Sequence, residues 1–131
     1  MDHLRRASIG VNTMWCEHFG IGVVEYQAAG LLCVVNDSGG PKEDIVVGED
    51  AEQGAGKGKG KRTGWHASTA EEYAAAFREA LALSGKEEAQ MREAARESSL
   101  RFSEEVFEQG WGDLMAGLIA AIPQKEKNKA A

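Results

Sequence analysis

Apolar residues follow three rhythms along this chain. Ala7-Ser8-Ile9-Gly10-Val11 alternates apolar and small side chains, the period of a short strand. From Phe19 to Ala29 the spacing turns helical, with Ile21, Val24, Ala28 and the adjacent Val23 as the predicted buried stripe, and Gly30 is placed to end the helix. Leu31-Leu32-Cys33-Val34-Val35 is a continuous apolar run of strand length, as in parallel strands covered on both faces. Asn36-Asp37-Ser38-Gly39-Gly40 reads as a loop, and Pro41 suits the first turn of a helix running through Ile45 and Val46. Thr63 to His66 is again extended.

The second half is helical in pattern. Ser68-Thr69-Ala70-Glu71 has the form of a capping box, ahead of a helix burying Tyr73, Phe77, Ala80 and Leu81. A further helix spans Lys86 to Phe102, with Met91, Ala94 and Ala95 on one side. Ser103-Glu104-Glu105 starts another, whose stripe of Phe107, Trp111, Leu114, Met115, Leu118 and Ile122 is expected in a core or an inter-domain surface. Pro123 closes it, and residues 123–131 read as a disordered tail. Strand, helix, strand, helix and strand imply an α/β class with about three parallel strands followed by a helical C-terminal segment. Such an inventory is lopsided and reads as the back half of a domain.

Composition narrows the function. A net charge of −6 opposes general nucleic-acid binding, which needs a basic face. Cys16 and Cys33 have neither disulfide nor metal spacing, and a packed thiol is the expected state of Cys16. His3 and His66 lack ligand partners, so no metal and no cofactor is expected. No signal-peptide pattern or bilayer-length apolar run is present. The Gly/Lys-rich stretch at 53–63 lacks the register of a phosphate-binding P-loop and reads as a solvated loop.

The chemistry concentrates in Glu17-His18-Phe19-Gly20-Ile21-Gly22-Val23-Val24-Glu25. Free amides at a glycine-bracketed helix start suit a diphosphate. Glu25, about two turns in, suits ribose hydroxyls, and Glu17 suits the hydroxyls of a donor sugar. A dinucleotide fingerprint would require glycine at Glu25. The same spacing also fits an ordinary amphipathic helix with Glu25 in solvent. His18 fits either a donor contact or a residue that caps or supports the helix start.

Glu17-x-Phe19-Gly20-x-x-x-x-Glu25, with Ala28-Ala29-Gly30 and Ser38-Gly39-Gly40-Pro41, resembles the retaining family 4 glycosyltransferases of GT-B fold. The longer strings ASIGVNTMWCEHFGIGVVEYQAAG and NDSGGPKEDIVV are similar to its mannose-transferring eukaryotic branch. The resemblance is close over residues 4–47. It implies that 1–66 is part of a Rossmann-like donor-binding domain with helices over 67–122. It further implies that Glu17 faces the donor mannose as the catalytic-site carboxylate and that Glu25 grips the ribose. Phe19, Gly20, Ile21 and Gly22 would form the diphosphate turn, with Gly39, Gly40 and Pro41 on the neighbouring donor-side loop. The implied donor is GDP-mannose and the implied acceptor a dolichol-pyrophosphate-linked oligosaccharide, at the cytosolic face of the endoplasmic reticulum membrane. The acceptor domain, the membrane anchor and the basic pair that neutralises the diphosphate would lie in an N-terminal portion, and neither Arg5, Arg6 nor Lys42 replaces that pair.

Overall fold

The computed structural model describes residues 2–48 and 61–122. The Gly/Lys-rich stretch, apart from residues 61–63, and the predicted tail therefore lie outside the described residues. Two compact units are present, residues 1–101 and 102–131.

The first unit is α/β, as the pattern requires. Helix α1 (Asp2–Arg6) leads into strand β1 (Ile9–Asn12), followed by α2 (Ile21–Ala28), β2 (Leu32–Asn36), a π-helical turn (Pro41–Ile45), β3 (Gly64–Ala67), α3 (Ala70–Ala82) and α4 (Gly85–Ser99). The three strands form one parallel sheet in the order β1-β2-β3, with Gly10 opposite Cys33 and Val35 opposite His66. Central β2 is buried along its whole length, which is why Leu32 to Val35 are apolar without alternation.

Strand parity places the helices. Ile9, Leu32, Val34 and Trp65 pack with Ala76, Ala80, Tyr73 and Phe77 of α3 on one face. Gly10 points to the opposite face, where a Cβ would lie 2.5 Å from the Tyr26 ring, so α2 covers that side. Each fully buried Val or Leu in such a sandwich contributes about 1.5–3 kcal/mol.

Several sequence expectations change. On α2 the buried positions are Val23 and Gln27, while Ile21 is 70% exposed and Ala28 is exposed. Gln27 is buried because its Nε2 donates to the Ile45 carbonyl (3.3 Å) and to Thr63 Oγ1 (3.0 Å), which ties α2 to the π turn. Leu81 is exposed, and Ala76 takes the core position instead, since the small alanines let α3 approach β3 closely. The capping box is Thr69 with Glu72, one residue later than predicted. The segment after Pro41 adopts a π turn rather than an α-helix. The helix predicted to reach Phe102 ends at Ser99 and tightens into a 3₁₀ turn over Leu100–Phe102. Helix α1 was not expected.

The second unit contains α5 (Glu104–Ala121), capped by Ser103 Oγ, which accepts the Val106 amide. Its apolar stripe is exposed rather than buried: Phe107, Trp111, Leu114, Leu118 and Ile122 are each more than half exposed. Phe107 and Trp111 stack with ring centroids 6.3 Å apart.

Candidate functional site

Two glycine loops meet at the carboxyl ends of β1 and β2, the place where open α/β sheets bind ligands. The Gly40 amide donates to the Glu17 carbonyl at 2.8 Å. A Cβ on Gly39 (φ +62°) would sit 2.3 Å from that carbonyl, and one on Gly40 2.3 Å from the Phe19 carbonyl. Only glycines allow the loops to lie so close. Pro41 completes the contact, since its ring approaches the Cβ position of Gly20 to 3.0 Å. The structure thus brings Glu17, His18, Phe19 and Gly20 together with Gly39, Gly40 and Pro41.

The start of α2 is chemically open. Gly20 is its N-cap, left-handed at φ 98° and ψ 55°, and no side chain caps it, so His18 is not a capping residue. No acidic residue occupies the first turn. Val23 and Val24 donate to the Gly20 carbonyl, whereas no acceptor takes the Ile21 and Gly22 amides among the described residues. A Cβ at Gly22 would meet nothing within 4 Å. Nothing in the described protein demands glycine there, and the space above it is clear.

Glu17 is held from behind. Its carboxylate accepts from the Asn12 side-chain amide, while Asn12 Oδ1 accepts the Met14 amide at 2.9 Å. The Cys16 amide donates to Ser38 Oγ at 2.8 Å, and Ser38 in turn donates to Asn36 Oδ1. Tyr73 of α3 donates to the Asn12 carbonyl at 3.2 Å, fixing the end of β1. Asn12, Asn36 and Ser38 were not assigned roles from the sequence. Their signal was positional: polar residues at or just beyond the carboxyl ends of two apolar strands.

Glu25 lies a turn further along α2 and is exposed. It lines a cavity of about 480 Å³ with Leu4 and Arg5 of α1 and with Ala28 and Ala29. No hydrogen bond or ion pair joins it to the Glu17 loop among the described residues. Lys42 pairs with Asp37 at 2.9 Å, and that hydrogen bond and charge raise its pKa, so its ammonium is already engaged. Of the two thiols, Cys16 is exposed, against expectation, and sits in a left-handed backbone conformation (φ 51°). Cys33 is buried, which pushes its pKa up to about 12.

Residues 1–98 match the family model for glycosyl transferases group 1. The chain is 50% identical over 130 residues to the GDP-Man:Man(3)GlcNAc(2)-PP-Dol alpha-1,2-mannosyltransferase of Neurospora crassa, covering 99% of this chain and 21% of that protein. The Homo sapiens protein of the same name is 44% identical over 107 residues, 82% of this chain and 20% of its own length. That of Dictyostelium discoideum is 49% identical over 104 residues, 79% of this chain and 18% of its own length. The chain therefore spans about a fifth of the length of the curated relatives it matches.

Proposed function

Because the chain belongs to the glycosyl transferases group 1 family, we propose that it forms the donor half-site of a retaining α-1,2-mannosyltransferase. The donor is GDP-mannose and the acceptor a dolichol-pyrophosphate-linked oligosaccharide, the substrates in the names of its relatives. The observation that carries this reading is the uncapped start of α2, with the Ile21 and Gly22 amides unoccupied beside the braced carboxylate of Glu17.

In this mechanism the diphosphate lies against the amides of Ile21 and Gly22, next to Phe19 and Gly20, at the positive end of the α2 dipole. Those groups stabilise the negative charge that builds on the leaving GDP as the bond to mannose breaks, and they need no reorganisation to do so. Glu17, oriented by Asn12, accepts hydrogen bonds from mannose hydroxyls and sets the angle of the sugar. Glu25 accepts from the ribose hydroxyls. Gly39, Gly40 and Pro41 hold the Glu17 loop at its height above the sheet. His18, exposed beside Glu17, is a donor contact. The acceptor-binding part, the basic groups facing the diphosphate and the attachment to the cytosolic face of the endoplasmic reticulum belong to the remaining four-fifths of a relative-length protein. Among the described residues, no helix is long and apolar enough to cross a membrane.

The test is mannosyl transfer from GDP-mannose by this chain fused to the preceding portion of the Neurospora crassa relative. Glu25→Ala is expected to lower kcat/KM by roughly ten- to a hundredfold, the worth of hydrogen bonds to a charged group. Unchanged transfer by that variant removes the ribose role. Transfer from other nucleotide sugars in preference to GDP-mannose removes the donor assignment.

A further inference from the structure

Trp15 is 77% exposed, as much as any large hydrophobic residue among the described residues of the first unit, and its neighbour Met14 is 61% exposed. A free loop would let these side chains fold back onto the protein. This turn is pinned instead. The Met14 amide is held by Asn12, the Cys16 amide by Ser38, and the Glu17 carbonyl by the Gly40 amide. The tryptophan is thus displayed two residues before Glu17 on a turn fixed at both ends.

The surroundings indicate what it is displayed to. Between Arg6 and Lys42 the sequence holds no lysine or arginine, while Glu17, Glu25 and Asp37 are acidic. Within residues 7–42 the one cationic side chain is Lys42, and it is already paired with Asp37, so an anionic membrane surface or a phosphorylated peptide is poorly matched by this loop. A pyranose has an apolar C–H face that suits an indole and hydroxyl edges that suit a carboxylate and an amide; Trp15 stands two residues before Glu17, whose carboxylate accepts from the Asn12 side-chain amide. We propose that Trp15 is a stacking platform for a hexopyranose ring beside Glu17, either the donor's sugar or a sugar of the acceptor. This rests on the donor-site reading and adds a specificity residue to it.

The three tryptophans permit a direct test on the ¹⁵N-labelled chain. Their indole N–H signals separate, and Trp15→Phe identifies that of Trp15. Trp65 is buried with its indole bonded to Glu79, and Trp111 is exposed on α5, so both serve as internal controls. The Trp15 signal is expected to move with GDP-mannose or with α-1,2-mannobiose, and not with GDP. Response to GDP-mannose alone assigns the donor sugar, and response to mannobiose alone assigns the acceptor. Trp15→Phe is expected to keep saccharide binding, and Trp15→Leu to weaken it about fivefold or more. A Trp15 signal unmoved by saccharide up to about 100 mM, far above even a millimolar dissociation constant, overturns the platform. So does a signal that moves only with phosphatidylcholine vesicles, or one that moves no more than that of Trp111. The Ile21 and Gly22 amides report on the donor site separately. If GDP moves them while no saccharide moves Trp15, the platform alone fails. If they stay still while mannobiose moves Trp15, the diphosphate reading alone fails.

Discussion

Gly22 and Gly40 are both glycines in the same motif, yet the structure gives them opposite reasons to exist. Gly40 faces the Phe19 carbonyl at a distance no Cβ tolerates, and its neighbour Gly39 faces the Glu17 carbonyl in the same way. Gly40→Ala is therefore expected to destabilise the first unit by about 1–3 kcal/mol, the range for forced overpacking. Gly22 meets nothing, and alanine is the better helix former by roughly 1 kcal/mol, so Gly22→Ala is expected to raise the melting temperature. If the proposed diphosphate site is correct, Gly22→Ala is also expected to weaken GDP binding, because it adds a methyl at the turn whose amides would hold the diphosphate. Thermal unfolding and GDP titration of the two variants check both signs, and a destabilised Gly22→Ala would mean that the protein itself needs that glycine. The sequence made all these glycines look alike. Their difference lies in which backbone crosses in front of each one. The same holds for Asn12, whose partner Glu17 is legible as a candidate while the bracing amide is not.

At the scale of elements, the start of α3 was legible to within one residue, because a cap is a local exchange between a side chain and a backbone amide within four residues, whereas the Ser84 cap of α4 went unread. Thr69 and Ser84 each form a complete capping box, with Glu72 and Glu87. Thr69→Ala is expected to cost about 1 kcal/mol, seen as a lower melting temperature. Hydrogen bonds from the Ser84 hydroxyl and amide lower the pKa of Glu87. A carboxylate with a lowered folded pKa adds stability that is present above its ordinary value of 4.5 and disappears as the pH falls through the folded value. The first turn of α4 is thus expected to loosen on acidification below that ordinary value, and carboxyl NMR of Glu87 together with amide exchange of that turn would show it. A Glu87 titrating at 4.5 or higher contradicts the bonded geometry. Faces were less readable than starts. Gln27 displaces an expected apolar position on α2 because it reaches Ile45 and Thr63 from elements far along the chain. The π turn depends on the same long-range packing.

For the whole molecule, the exposed apolar residues of α5 bear on solution behaviour. Phe107, Trp111, Leu114, Leu118, Ile119 and Ile122 are each more than half exposed, an arrangement that favours association of the isolated chain. Sedimentation is expected to show concentration-dependent self-association that Trp111→Glu reduces, and a monomer at all concentrations would count against it. By itself, the sequence determined the α/β order, the parallel class of β2, the start of α3 to within one residue and the Glu17–Glu25 motif, since each rests on periodicity or on contacts between near neighbours in the chain. Only the tertiary structure decided that the Glu17 and Gly39–Gly40 loops interlock, that Gly22 opens onto clear space, that Glu25 lines a cavity with α1, and that Trp15 stands outward on a pinned turn. Those features depend on residues brought together across the sheet edge, and no local pattern encodes the distance between them.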